Sequence, residues 1–168
     1  MLRLRPLRPD DETEFRAGHA AMADEGRPFG LVFSAGLSWD AYLKTLEDCR
    51  NGVHLPERWV PSTFLVADVA GTIVGRTSIR HQLNEFLLHK GGHIGYAVLP
   101  AHRRRGYATE ILRQSLVIAR SLGIDRVLVT CNDDNIGSIK AIEACHGQLE
   151  NVVPDESSPV PLRRYWID

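Results

Sequence analysis

The sequence has no uninterrupted apolar run approaching 18 residues, so it offers no candidate for a transmembrane helix. Its start, MLRLRPLRPDD, alternates apolar and basic residues without the apolar segment of a secretory signal, which predicts a soluble, unexported, cytoplasmic protein. It holds three cysteines, Cys49, Cys131 and Cys145, and no Cys-x-x-Cys pair. An odd, unspaced set disfavours both a disulfide framework and a zinc site, and no metal is expected. Charge of one sign is also lacking: a formal net charge of −1 gives no global pull toward nucleic acid or membrane. Two phosphate-binding motifs are missing as well. No Gly-Lys-Ser/Thr occurs, which excludes a P-loop, and no turn carries the three glycines of a dinucleotide fingerprint. What remains is an ordinary folded composition, 43% apolar and 24% charged over 168 residues, sized for a single domain spanning residues 1–168.

The chain reads as mixed strands and helices. Leu2 and Leu4 alternate with Arg3 and Arg5 as a first strand ending near Pro6 to Pro9. Asp10 or Asp11 caps a helix with Phe15, His19 and Met22 on one face, and Ser38 caps a second helix reaching about Cys49. Between them, Gly26 to Gly36 reads as loop. Ser62 to Val69 and Ile73 to Ile79 form a hairpin across Ala70-Gly71-Thr72. Arg80 to Lys90 fits either a continued strand or a short helix. His93 to Leu99 is a buried strand stopped by Pro100, and a strongly amphipathic helix follows from about Arg105 to Leu122, with Gly123 at its C-cap. Arg126 to Cys131 is a strand with a fully apolar core, and Asn135 opens a helix to about Cys145. Gln148 to Val153 is a strand, Pro154 to Pro161 a loop, and Leu162 to Ile167 a last, antiparallel strand. This order gives an α+β sheet layer flanked by helices.

The stretch with chemistry in it is Gly91 to Thr109, GGHIGYAVLPAHRRRGYAT. A strand, then a basic turn with one glycine, then a helix start is how a chain aims main-chain N–H groups and a helix dipole at phosphate, and a pyrophosphate fits best. Arg103-x-x-Gly106-x-Ala108 matches the signature Gln/Arg-x-x-Gly-x-Gly/Ala. With the preceding strand, Pro100, the following helix and strand, and Asn135-x-x-Ser138, the segment resembles the coenzyme A site of the GNAT superfamily of N-acyltransferases. The resemblance is close over about residues 62 to 153 and looser outside them.

That resemblance implies a single-domain fold with a mixed, mostly antiparallel central sheet whose central strands splay. It implies an N-acetyltransferase using acetyl-CoA as co-substrate, with an unidentified amine as acceptor and direct attack in a ternary complex. The implied cofactor contacts are Arg103, Arg104, Arg105, Gly106, Tyr107, Ala108 and Thr109 at the phosphates, a main-chain N–H near Val98 and Leu99 as oxyanion donor, and Asn135 and Ser138 along the coenzyme arm. One or two of the three arginines could also reach the 3′-phosphate. Asn135 and Ser138 have a second reading as helix N-cap and first turn.

Transfer to an amine needs that amine neutral. Many relatives carry a glutamate in the strand before the signature; here the position is His93, which becomes the candidate base, with His81 and Glu85 as rivals. The tyrosine that often follows the Asn by seven residues is replaced by Ile142, and Cys145-His146-Gly147 replaces the usual Gly-Phe pair. A non-catalytic acyl-CoA-binding or regulatory module is therefore the alternative reading. An RNA-binding domain is weaker still, since no aromatics interleave the basic triplet. Nucleic acid and membrane are not expected partners, and a homodimer is left open.

Overall fold

The computed structural model describes every residue, Met1–Asp168. Strands β1 (Leu2–Arg5), β2 (Ser62–Val69), β3 (Thr72–Arg80) and β4 (Ile94–Val98) form one antiparallel sheet in that order. Strands β5 (Val127–Asn132), β6 (Gln148–Asp155) and β7 (Ser158–Ile167) form a second antiparallel sheet in the order β5-β7-β6. Helices α1 (Glu12–Ala23), α2 (Trp39–Asn51), α3 (Glu85–His89), α4 (Tyr107–Ser121) and α5 (Ile136–Ala144) complete the fold. No helix is long and apolar enough to cross a membrane.

Helices cover both faces of the first sheet, whose central strands β2 and β3 are buried along most of their length, whereas the edge strand β6 of the second sheet is largely exposed. Phe64, Val66 and Ile73 pack with Phe15, Met22, Phe29, Trp39 and Tyr42 beneath α1 and α2. Leu112, Leu116 and Ala119 of α4 pack with Ile79, Ile94, Val127, Val129, Ile142 and Tyr165, joining both sheets to α4 and α5. Ile111 of α4 meets Leu2, Ala67 and Val74. A buried ion cluster ties the entrance of α1 to the first sheet: Arg5 donates to Asp11 at 2.6 and 2.9 Å and to Asp68 at 2.9 Å.

The sequence reading differs from the structure in two places, and in a third the structure decides between its two alternatives. The loop expected from Pro154 to Pro161 is a hairpin with only Glu156 and Ser157 between its strands. Prolines survive there because Pro154 lies on the edge strand β6, while Pro159 and Pro161 lie beyond the β5–β7 ladder, whose last pair is Asn132 with Leu162. Helix α4 begins at Tyr107 rather than Arg105, after Gly106 takes a left-handed φ of 78°. In the segment after Arg80 it is the short helix, α3, that forms.

The two sheets meet at one narrow point. Gly92 and Val129 form an isolated bridge, His93 N–H donates to the Leu128 carbonyl at 2.7 Å, and Gly91 N–H donates to Thr130 Oγ1 at 2.9 Å. Gly92 has φ 62° and presses against the Leu128 main chain, so a Cβ there would fall 2.9 Å from that carbonyl carbon. Gly92→Ala should therefore destabilise the protein by about 2–3 kcal/mol through backbone strain and overpacking. A thermal melt should show Tm lower by roughly 5–10 °C for a chain of this size.

Candidate active site

Beyond that junction β4 and β5 make no further ladder bonds, and a cavity of about 530 Å³ opens between β4, α5 and the start of α4. Which main-chain groups face it follows from strand geometry. Leu99 N–H donates to Val74 at 2.9 Å and His93 C=O accepts from Arg80 at 2.7 Å, so the odd-numbered residues of this strand bond to β3. Alternation then turns the main-chain groups of Ile94, Tyr96 and Val98 away from β3, toward the gap. Val98 lines the cavity, and its carbonyl accepts from Arg103 Nε at 3.2 Å.

The basic turn closes one end. From Arg104 through Thr109 no main-chain N–H has an acceptor within the protein. The left-handed residues Arg104 and Gly106 turn the chain so that these N–H groups and the positive end of α4 converge. Arg104, Gly106, Tyr107, Ala108 and Thr109 all line the cavity. Such a nest has the donor set a pyrophosphate requires. Arg103 also lines it, but its guanidinium is committed to a bidentate pair with Glu25, at 3.0 and 2.6 Å. Arg104 is in no ion pair.

Asn135, Gly137, Ser138, Lys140 and Ala141 form the opposite wall. Asn135 is the N-cap of α5, its Oδ1 accepting from Ser138 N–H at 3.1 Å, and both residues border the cavity as well. Tyr96 reaches across the gap, and its hydroxyl donates to Ser138 C=O at 3.5 Å. Burial pushes the Tyr96 phenol well above its usual pKa, so it stays protonated. Ile142 is wholly buried on the far face of α5, among core residues.

Three of the residues expected at the site lie elsewhere. Leu99 is buried against α1, with its methyls at the Gly18 surface. Arg105 is exposed and outside the cavity. His93 is buried at the sheet junction, outside the cavity lining, where its Nδ1 accepts from Leu128 N–H at 2.9 Å. A ring nitrogen engaged as an acceptor at the junction is a geometry for pinning strands rather than for taking a proton from a substrate. The rivals do not line the cavity either: His81 pairs with Thr63 Oγ1 at 2.8 Å, and Glu85 lies exposed in the first turn of α3.

The sequence reading missed Met22, Arg27, Pro28, Arg76, Tyr96 and Ala97, which line the cavity on the α1 side and along β4. Arg76 did carry a signal, as a charge inside the apolar run Ile73 to Ile79. The lining holds Arg27, Arg76, Arg103, Arg104 and Lys140 and no Asp, Glu or His. No cluster of three or more His, Cys, Asp or Glu side chains is arranged to hold a metal ion.

Residues 1–148 match the family model described as Acetyltransferase (GNAT) domain. No curated protein sequence matches the chain significantly. Among solved structures, yncA from Salmonella typhimurium, solved with its cofactor acetyl-CoA, superposes with a TM-score of 0.67 at 14% identity, covering 99% of this chain and 93% of that one. An N-acetyltransferase from Staphylococcus aureus Mu50 gives 0.67 at 15% identity, covering 100% and 98%. The acetyltransferase of GNAT family from Streptococcus pneumoniae gives 0.65 at 15% identity, covering 100% of both chains. At these identities the superpositions speak for the fold.

The junction geometry makes a prediction about pH. Burial, and then the nearby Arg80, lowers the pKa of His93 below its usual value near 6.5, and burial does the same for His19 and His81. Above the unfolded pKa these histidines are neutral in both states. As pH falls through that value the unfolded chain takes up protons first, so stability is lost on acidification. Protonated His93 can no longer accept from Leu128. His93→Asn, which keeps an acceptor oxygen but no titration, should show a smaller fall in Tm between about pH 7.5 and 5.5 than wild type, with part of the fall remaining because His19 and His81 are shifted the same way. Thermal melts across that range check it.

Proposed function

Because the chain belongs to the GNAT acetyltransferase family, we propose that it moves an acetyl group from acetyl-CoA to a primary amine by direct attack in a ternary complex, the whole chain acting as one acetyltransferase domain. The observation that carries the reading is the run of unengaged N–H groups from Arg104 to Thr109, at one end of the gap between β4 and α5. The N–H groups of Gly106 to Thr109 hold the pyrophosphate, with Arg104 and Lys140 as flanking cations. Val98 N–H, turned into the gap by strand alternation, is the oxyanion donor as the carbonyl develops charge. Asn135 keeps its capping bond while α5 borders the coenzyme arm.

Proton handling differs from the sequence expectation. His93 holds the strand junction in this reading. The cavity offers no carboxylate or imidazole as base, but its cations disfavour an ammonium beside them and so lower the amine's pKa. Water then carries the proton away. Tyr96, a buried O–H in the lining, stands in for the tyrosine replaced by Ile142 as a hydrogen-bond donor to the departing thiolate, which takes its proton from the water that received the amine's. A thiol near pKa 8.5 needs this help only modestly, about 2 kcal/mol at pH 7. The three free, buried cysteines suit a reducing cytoplasm.

The lack of a base in the lining is also the observation favouring the second reading, a non-catalytic coenzyme-binding module. Thiol release from acetyl-CoA over a panel of amines separates the two: release with any amine supports transfer, and binding without release supports the module. Gly106→Glu would put a carboxylate into open space at the phosphate nest. It should weaken acetyl-CoA binding at least tenfold in titration calorimetry with the fold intact; an unchanged Kd would overturn the phosphate assignment. Tyr96→Phe should lower kcat by roughly tenfold at constant acetyl-CoA affinity, below the ceiling of roughly 30-fold that about 2 kcal/mol represents. Equal kcat in the two proteins would remove the phenol from the mechanism.

A further inference from the structure

On the face of β3 opposite α4, Arg76, Ser78 and Arg80 alternate along the strand and point the same way. Arg76 Nε and Ser78 Oγ are both buried without any hydrogen-bond partner. Leaving such groups unmade costs about 1–3 kcal/mol each, and a partly buried guanidinium without a carboxylate costs more. Arg76 does donate to two carbonyls, Gly95 at 3.1 Å and Pro28 at 3.2 Å, and Arg80 to those of Gly91 and Gly92 at 2.9 and 3.2 Å. Neither forms an ion pair, whereas Arg5, Lys90, Arg103 and Arg163 each do. Burial, and then Arg80, pushes Arg76 down to about 10, which still leaves it charged at neutral pH.

The place of these cations decides their use. Ser78 pairs with Gly95 and Arg76 with Ala97, next to Val98. Gly95 has no side chain, and both guanidinia occupy the space beside it: a Cβ there would lie 3.3 Å from Arg80 Nη1 and 3.7 Å from Arg76 Nη1. Arg76 is the member that reaches the cavity wall, on the α1 side, away from the phosphate nest at α4; Ser78 and Arg80 stand behind it. The coenzyme's own charges are met at the nest, so this second cationic group is left for the other substrate.

We propose that the acceptor is an amine bearing a carboxylate a few bonds from its nitrogen, as an amino acid does, and that the carboxylate docks on the Arg76 fork. Arg80, behind the fork, adds charge without contact, and Ser78 lies buried between the two. The short separation follows from where the guanidinium lies, against the Gly95 and Pro28 carbonyls, with Gly95 only three residues along β4 from Val98, whose N–H is the proposed oxyanion donor. This inference rests on the acetyltransferase reading above and specifies its acceptor.

The test uses wild-type protein and thiol release from acetyl-CoA with the common L-amino acids, each paired with its α-amide and its decarboxylated amine. At least one acid should surpass both of its neutral partners by roughly 100-fold in kcat/KM, the scale of a lost charge-assisted bidentate contact. Arg76→Gln should raise KM for that acid at least tenfold and abolish the preference while the Kd for acetyl-CoA stays unchanged; Arg76→Lys should restore part of it. Equal use of acid and amide, transfer only to neutral amines, or no transfer to any acid while acetyl-CoA binds would each overturn the proposal. Transfer to neutral amines leaves the acetyltransferase reading standing, whereas failure of acetyl-CoA to bind in calorimetry brings down both.

Discussion

Everything in the cleft depends on where β4 and β5 stop pairing. Their contact is a main-chain bond from His93 to Leu128, returned not by a carbonyl of β4 but by the imidazole of His93 itself. A side-chain acceptor in place of the next ladder carbonyl satisfies Leu128 N–H and releases β4 from the register. Gly92 permits the close approach on one side, and the ring sets the separation on the other. Past that point the main-chain groups of Tyr96 and Val98 have a gap to face instead of a partner strand.

The cleft is then defined by surplus donors. The turn at Arg104 to Thr109 leaves a row of N–H groups without acceptors, and β3 leaves Arg76 Nε and Ser78 Oγ in the same state. The turn's N–H groups stand open at one end of the cavity, and Arg76 reaches its wall with one donor buried and unpartnered; both are places where a ligand that brings acceptors gains hydrogen bonds. The lining has cations and no carboxylate, which suits a polyanionic cofactor and weights the chemistry toward a neutral amine. The carboxylates nearby are spent: Glu25 fixes Arg103, and in doing so ties the end of α1 to the turn beside Pro100.

Much of this was legible along the chain. The strand, Pro100, the basic turn and the amphipathic helix are local features, set by turn chemistry and by apolar spacing within a few residues, and they picked out the turn that the structure places at one end of the cleft. The hairpin of β2 and β3 and the N-cap at Asn135 are local in the same sense. The hairpin of β6 and β7 was read as a loop because its prolines are turn formers by composition; only the ladder's end at Leu162 and the edge position of β6 make them tolerable in strands.

The sequence by itself determined the elements and the nest at the start of α4, because those depend on φ preferences, capping and side-chain periodicity over short spans. Tertiary structure alone decided the roles of His93 and Arg76. A histidine in a strand reads the same whether it faces substrate or a neighbouring backbone, and only the approach of Leu128, 35 residues away in sequence, commits its Nδ1. A charge in an apolar strand comes to a cavity wall without an ion-pair partner only through the packing of the folded sheet, here beside a glycine of another strand. Both outcomes turn on contacts between distant residues, and these are settled when the two sheets pack and part.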